Sequence, residues 1–116
     1  MTKSPTELTL EFCREQGWRA DIAERVIPVV RKRKDLFGFI DIVALTPDGI
    51  MGIQVTSASN HSARVKKIVN TCQAAGVDWL ACNGIIEVWS WRKGKTKGPD
   101  GRYWKLRREA ITPDKL

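Results

Sequence analysis

The spacing of apolar and polar residues predicts a chain in which helices and strands alternate. Near the N-terminus, Ser4 precedes a proline and an acidic residue follows in the next turn, an arrangement typical of a helix start. Apolar residues then recur at helical spacing until Gly17, which is expected to end this first helix. From residue 18 to residue 26 apolar and polar side chains alternate, which predicts a strand. The basic run at 31–34 is expected to form a loop or an irregular edge.

The middle of the chain predicts a β-hairpin followed by a helix. Residues 36–46 are rich in β-branched and aromatic side chains, and a Pro-Asp-Gly turn at 47–49 separates them from a partner strand at 50–56. Small polar residues after this strand can cap a helix of about fifteen residues that ends at Gly76. Residues such as Ile68 have the spacing of its buried face.

The C-terminal half predicts further strands at 78–82, 85–91 and 103–111, with a loop rich in Gly, Lys and Pro over 94–101. The predicted order is therefore α-β-β-β-α-β-β-β. This order corresponds to the α/β (α+β) class, with a mixed central sheet flanked by helices in a single domain that spans residues 1–116.

Composition narrows the class of protein further. The chain has 116 residues, of which 42% are hydrophobic and 28% charged, as in ordinary globular domains. Its longest apolar stretch falls far short of the roughly 20 residues that a membrane helix needs. The N-terminus lacks the apolar core of a secretion signal. We therefore expect a cytoplasmic protein with no membrane partner.

Cysteine and histidine usage argues against two kinds of site. Three widely spaced cysteines in apolar surroundings, without a secretion signal, indicate reduced thiols of the core. Because His61 is the only histidine, a structural zinc site is not expected. A catalytic triad on His61 is not favoured either, since no nucleophile stands out beside it.

The charge is concentrated in one half of the chain. The net charge is +7, and residues 58–116 carry all of it. Residues 92–108 hold eight basic side chains against one acid, interleaved with Tyr103 and Trp104. Such a stripe favours a polyanionic partner, and the alternative is a solvated basic face. The candidate nucleic-acid contacts in this segment are Arg92, Lys93, Lys95, Arg102 and Trp104, and those in the earlier basic run are Arg31, Arg33 and Lys34.

Carboxylates in the central hairpin point to a metal site. Asp41 lies among apolar neighbours, where a carboxylate needs a cation or hydrogen-bond donors. Gln54 and Thr56 share one strand face, and pairing across the turn would bring Gln54 near Asp41, where Glu24 can join them. Two carboxylates, an amide oxygen and the backbone carbonyl of Val55 would suit Mg²⁺, for which Mn²⁺ could substitute.

Other roles are open for the same residues. Asp41 could bond turn amides, and Gln54 could be a buried amide whose hydrogen bonds are satisfied. Glu24 could form a surface ion pair with an arginine, either Arg19 or Arg33. Asp35 more often opens a strand or bonds nearby backbone than binds a metal.

The run Asp-Leu-Phe-Gly-Phe-Ile-Asp at 35–41, with Glu24 before it and Gln-Val-Thr at 54–56 after it, resembles the PD-(D/E)XK nuclease superfamily. The likeness is greatest to small phage and bacterial proteins similar to Holliday-junction resolvases and virus-type replication-repair nucleases. It covers the chain from the first helix to Trp91 and includes Ser57, Asn60, Ala63, Arg64 and Lys67. The resemblance implies a restriction-endonuclease-like core, α-β-β-β-α-β, with extra C-terminal strands.

The resemblance also implies roles for individual residues. Asp41 matches the metal-binding aspartate, and Glu24 matches an acidic residue that often completes the metal site. Gln54 stands where most members have Glu, although Mrr-type restriction endonucleases are similar in having Gln there. Thr56 occupies the position of the lysine that usually positions the attacking water. Some members place that lysine on the following helix, where Lys67 would substitute. The implied catalytic residues are then Asp41, Gln54, Glu24, Thr56 and Lys67. Arg64 would act as a phosphate clamp, and Asn60 would be a further nucleic-acid contact.

The expected function is therefore a Mg²⁺-dependent DNA endonuclease, selective for branched or other double-stranded structures, encoded by a phage or mobile element. A four-way junction as substrate would require a homodimer, since two symmetric incisions need two sites. Two alternatives remain: a DNA-binding protein that kept the nuclease fold without catalysis, and a small phage factor that binds another protein.

Overall fold

The chain folds around a mixed five-stranded sheet with helices on both faces. The computed structural model describes residues 3–30, 32–99 and 101–116, so Arg31, a predicted nucleic-acid contact, lies outside the described residues. The elements are α1 (Pro5–Glu15), β1 (Arg19–Ile22), β2 (Arg25–Ile27), β3 (Lys32–Lys34), β4 (Ile42–Thr46), β5 (Gly49–Ser57), α2 (His61–Lys66), α3 (Gln73–Ala81), β6 (Ile85–Lys93) and β7 (Trp104–Ala110).

The strand order in the main sheet is β1-β4-β5-β6-β7. Only β5 and β6 pair in parallel among these strands, and the helical segment between them provides the crossover that parallel pairing requires. Strands β2 and β3 form a separate two-stranded hairpin. The predicted α/β class with a mixed sheet between helices is confirmed. None of the helices in the described ranges is long and apolar enough to span a bilayer.

Helix α1 packs on one face of the sheet and forms the first core. Its start follows the prediction, since the Ser4 hydroxyl accepts a hydrogen bond from the Glu7 amide over 3.2 Å. The Trp89 ring is fully buried and lies edge-to-face with Phe12, at 5.2 Å between ring centroids. Trp91 Nε1 donates to the hydroxyl of α1 residue Thr9 over 2.9 Å. Both tryptophans are therefore buried in this core.

The strand predicted at 36–46 is wrong in its first half. Residues 36–40 form a hydrogen-bonded turn, in which Leu36 and Ile40 exchange backbone hydrogen bonds of 2.9 and 3.0 Å. The physical reason is that Phe37 and Gly38 both have positive φ, of 54° and 86°, which a strand cannot contain. The turn at Pro47 and Asp48 forms as predicted, and β4 and β5 pair across it.

The predicted helix end at Gly76 and the strand predicted at 78–82 are also wrong. Helical structure continues from α2 through a π-helical segment, Lys67–Thr71, into α3. It continues because Ile68 and Trp79 pack against β6 and the 36–40 turn in the second core, on the other face of the sheet. Burial of these side chains outweighs the weak helix propensity of a glycine.

Two further predictions need correction. The strand predicted at 18–26 is divided between β1 in the main sheet and β2 in the small hairpin, and residues 32–34 of the expected loop form β3. The three cysteines are free, but only Cys13 is fully buried, and Cys82 is exposed at the end of α3. Burial raises the pKa of the Cys13 thiol from 9.0 to about 11, as expected for an unreactive core thiol.

Candidate metal and nucleic-acid site

Three carboxylates meet at the open end of the β4–β5 hairpin. Each of Glu24, Asp35 and Asp41 places one carboxylate oxygen within 4.8 Å of the other two, and all three side chains are half-buried. Glu24 reaches this position because the amide of its neighbour Ala23 donates to the Asp41 carbonyl over 2.7 Å. We refer to these three residues as the carboxylate cluster. The sequence predicted Glu24 and Asp41 as partners, but for Asp35 it favoured a strand start or bonds to nearby backbone over metal binding.

Asp41 is fixed between β4 and β5. Its backbone amide donates to the Ile53 carbonyl over 2.9 Å. Its carboxylate oxygen Oδ2 accepts from Gln54 Nε2 at 2.6 Å and from the Val55 amide at 2.8 Å. The predicted approach of Gln54 to Asp41 is therefore present. Val55 meets the cluster through its amide, and ligation by its carbonyl oxygen stays a prediction.

The environment of Asp41 opposes its negative charge. The pKa of this carboxyl is raised from 3.8 to about 7, mainly by burial and also by the neighbouring Asp35 and Glu24 carboxyls, while the Val55 amide opposes the shift. A divalent cation at the cluster would reverse this balance, because it would offset the mutual repulsion of the carboxylates.

Gln54 contributes an unpartnered oxygen beside the cluster. Its side chain is 2% exposed, and among the described residues its Oε1 is the one buried side-chain nitrogen or oxygen without a hydrogen-bond partner. An orphaned buried carbonyl costs on the order of 1–3 kcal/mol. Rotation of the amide by half a turn would instead set Oε1 against the carboxylate of Asp41. That arrangement is favourable only with a proton or a cation between the two oxygens.

The donor set matches a hard divalent cation. Carboxylate and amide oxygens are the ligands that Mg²⁺ and Mn²⁺ take, and no thiol or imidazole belongs to the cluster. The residues that would hold the ion are Glu24, Asp35, Asp41 and Gln54.

Two cationic side chains contact the cluster from different elements. Lys67 Nζ lies 3.5 Å from Asp35 Oδ2, and Arg33 Nη1 lies 3.2 Å from Glu24 Oε1. Arg64 lies one helical turn before Lys67 and is half-buried. Thr56 is buried on the same strand face as Gln54 and has no charge to contribute. The structure thus places Lys67 in contact with the cluster, and its role as a substitute for a lysine at position 56 stays a prediction.

Part of the basic stripe at 92–108, including the predicted contact Arg92, lines a groove on the same face of the sheet. The pairing of Thr56 with Ser90 and of Ser90 with Arg107 continues the Gln54 face across β5, β6 and β7. A cavity of about 330 Å³ lies over this part of the sheet. We call it the basic groove; it is lined by Ala58, Ser90, Arg92, Lys105, Leu106 and Arg107.

The remaining residues of the predicted basic stripe lie elsewhere. Lys93, Arg102 and Trp104 line a cavity of about 530 Å³ on the α1 side of the sheet. Arg102 forms an ion pair of 2.6 Å with Glu15 of α1. Lys95 is exposed in the loop before β7, and Asn60 Nδ2 donates to the Ser57 hydroxyl over 3.3 Å. Alternation along β6 and β7 therefore divides the stripe between the two faces.

The histidine occupies an arrangement that the sequence does not reveal. His61 is 1% exposed, with Nδ1 2.7 Å from Ser90 Oγ and Nε2 3.0 Å from Glu109 Oε1. The hydrogen bond from His61 lowers the pKa of Glu109, so that the Glu109 carboxylate accepts a hydrogen bond from His61 Nε2. The Ser90 side chain is itself buried, so the trio links α2, β6 and β7. Ser90 lies 29 residues and Glu109 48 residues after His61 along the chain, so no local sequence pattern indicates that the three side chains meet.

No family model, curated protein or solved structure matches this chain. Its function is therefore inferred from the chemistry of the site.

Proposed function

We propose that this protein is a metal-dependent endonuclease that hydrolyses phosphodiester bonds in DNA. The observation that carries the proposal is the carboxylate cluster, with the unpartnered Gln54 oxygen beside it, on the same sheet face as the basic groove. Carboxylates alone would repel a phosphate, whereas the groove attracts one. The cations of the groove would hold the DNA, and a metal at the carboxylate cluster would promote its cleavage. This division of roles explains why the groove and the cluster share one face of the sheet.

The element order supports a restriction-endonuclease-like core. Helix α1, the antiparallel strands β1, β4 and β5, the helical crossover and the parallel strand β6 follow the order α-β-β-β-α-β. The β2–β3 hairpin is then an insertion after the first strand, and β7 is the extra C-terminal strand.

Each residue of the site has a defined part in the proposed reaction. Bound Mg²⁺ would lower the pKa of a water molecule and offset the charge that develops on the phosphate. Asp41 and Gln54 hold their side chains in place through their mutual hydrogen bond. Lys67 supplies positive charge at the cluster, where Thr56 cannot, and Arg64 can clamp a neighbouring phosphate.

The basic groove binds the backbone without reading the base sequence, because its cations are suited to phosphates. Selectivity would then come from the shape of the DNA, as expected for an enzyme that acts on branched or distorted duplexes. If the substrate is a four-way junction, a homodimer would supply the two sites for paired incisions.

The test is cleavage of labelled four-way-junction, flap, single-stranded and linear duplex DNA in Mg²⁺, Mn²⁺ or EDTA. We expect cleavage in either metal, none in EDTA, and loss of cleavage in Asp41→Ala. The matched control is Asp48→Ala, which removes an exposed carboxylate from the β4–β5 turn and is expected to cleave like the wild type.

Other outcomes would indicate other functions. DNA binding without cleavage in either metal would contradict the nuclease and indicate a DNA-binding protein with a retired site, a function favoured by Thr56 in place of a lysine. Absence of salt-dependent DNA binding would contradict both the nuclease and the DNA-binding protein. It would indicate a protein-interaction factor instead.

A further inference from the structure

We propose, on the basis of the nuclease function proposed above, that Phe37 and Trp79 form a binding site for an unpaired nucleobase next to the carboxylate cluster. The two aromatic residues line a cavity of about 390 Å³ that is predominantly apolar. We call it the Phe37 pocket; it is lined by Phe37, Ala75, Asp78, Trp79 and Cys82.

Phe37 is presented to solvent in a conformation that its own chemistry disfavours. Its φ is 54°, in the left-handed region that bulky side chains rarely adopt, and its side chain is 59% exposed. Burial of the Phe37 ring therefore contributes little free energy to offset the backbone strain. Strain of this kind persists only where the surroundings impose it, and it is typical of functional sites.

The surroundings hold Phe37 firmly. The Gly38 amide donates to the Asp35 carbonyl over 3.0 Å, and Leu36 and Ile40 exchange two backbone hydrogen bonds. Phe39 and Ile40, directly after the tip, are fully buried in the second core. The exposed ring therefore stands on a rigid turn.

Trp79 is fixed on the other wall of the pocket. Its Nε1 donates to the Ile85 carbonyl over 2.9 Å, and a Cβ on Gly84 would clash with this nitrogen. The Phe37 and Trp79 rings are 6.3 Å apart between centroids and tilted by 58°, so they do not stack face to face. A site with two rigid, unstacked aromatic walls suits a flat apolar group.

Phe37 also lines a second groove, which contains charged groups. This groove has a volume of about 500 Å³, and Arg25, Lys34 and Asp35 are among its lining residues. Phe37 therefore separates a groove that reaches the carboxylate cluster from an apolar pocket. A nucleic-acid strand has the complementary form, with an anionic backbone and a flat base that projects from it.

The occupant must be unpaired, because the bases of a continuous duplex are stacked and are not available to the pocket. This defines the substrate class as DNA with an unpaired nucleotide near the cleaved phosphate, such as a bulge, flap or branch point. The carboxylate of Asp78 at the pocket can accept a hydrogen bond from an exocyclic amino group, which favours cytosine over thymine.

The test measures the affinity of the protein for DNA by fluorescence polarisation at low salt. EDTA is present throughout, because it removes divalent metal and so prevents metal-dependent cleavage. The probes are a paired duplex, the same duplex with one bulged cytidine, and the same bulge without its base. Wild-type protein should bind the cytidine bulge about tenfold or more tightly than the abasic bulge, from stacking on aromatic side chains. Phe37→Asn should abolish this difference and leave affinity for the paired duplex unchanged, since asparagine tolerates the left-handed conformation.

Two controls accompany this variant. Phe37→Trp should keep the difference, and Leu45→Asn, which removes a comparably exposed apolar side chain from β4, should behave as wild type. If the protein binds DNA but Phe37→Asn keeps the full difference, or wild type shows none, the base site is refuted and the nuclease proposal is unaffected. If wild type binds none of the probes, the nuclease proposal fails and the base site fails with it.

Discussion

The ammonium nitrogen of Lys67 lies 3.5 Å from a carboxylate oxygen of Asp35, although 32 residues separate them in sequence. This contact brings a cation from the helical crossover to the carboxylate cluster. Lys67 begins the π-helical segment Lys67–Thr71, and π-helical turns occur frequently at functional sites. Under the proposed nuclease function, this contact would compensate for Thr56, which stands where the resemblance leads us to expect a lysine.

Lys67 is therefore predicted to be required for cleavage. Lys67→Ala should lower the single-turnover rate about a hundredfold or more, because the charge that offsets the transition state is lost. DNA affinity should change little, and Lys67→Arg should retain part of the rate. Lys66→Ala, which removes the exposed neighbouring lysine, is the matched control. Equal loss of rate in both alanine variants would contradict a specific role for Lys67.

Asp41 should make stability depend on pH. Its pKa rises from 3.8 to about 7 on folding, mainly through burial, so between these values the folded state holds a proton that the unfolded state has lost. The free energy of unfolding should therefore fall as pH rises through this window, by at most about 1.4 kcal/mol per unit. Urea unfolding between pH 4 and pH 8 should show this decline, and Asp41→Asn should remove it. An unchanged slope in the variant would assign the decline to other groups.

Metal removal should have an effect that also depends on pH. Mg²⁺ needs deprotonated carboxylates, so its binding must displace the proton from Asp41. Added Mg²⁺ should raise the melting temperature, more at pH 8 than at pH 6, and EDTA should reverse the rise. Asp48→Asn should respond like wild type, and Asp41→Asn should not respond. A rise that is the same in both variants would place the ion outside the carboxylate cluster.

The basic groove should determine how DNA binding responds to salt. Arg92→Ala removes one cation from the groove and should lower the slope of log K against log salt concentration by about one. Lys3→Ala removes a cation on the α1 side, where Lys3 pairs with Glu11 at 2.6 Å, and should leave the slope unchanged. Titrations at several salt concentrations measure both slopes. A lower slope in Lys3→Ala and an unchanged slope in Arg92→Ala would indicate that DNA binds on the α1 side of the sheet instead.

His61 is predicted to matter for stability. His61→Ala leaves a cavity and an unpaired hydroxyl at Ser90, while Glu109 keeps its ion pairs with Arg107 and Lys115, so unfolding should become easier by about 2–5 kcal/mol. Ser90→Ala removes one hydrogen bond and should cost about 1 kcal/mol. Urea unfolding of both variants gives these values. A loss below about 0.5 kcal/mol for His61→Ala would show that the trio contributes little to the fold.

Features that depend on neighbouring residues could be predicted from the sequence. The capping Ser4 identifies the start of α1, and the turn at Pro47 and Asp48 sets the pairing of β4 with β5. That pairing, with alternation along the strands, is enough to bring Gln54 to Asp41. The physical reason is that capping, turn geometry and strand alternation act over only a few residues.

Features that depend on distant contacts were decided only by the tertiary structure. Helix α3 forms across a glycine and a predicted strand because Trp79 packs against a core to which β6 and the 36–40 turn contribute. Asp35 joins the carboxylate cluster, and His61 meets Ser90 and Glu109, because packed elements bring together residues far apart in the chain. The sequence by itself determined α1, the central hairpin and the pair of Asp41 and Gln54. Burial and hydrogen bonding between distant segments decided the rest, since their free energy outweighs local preference.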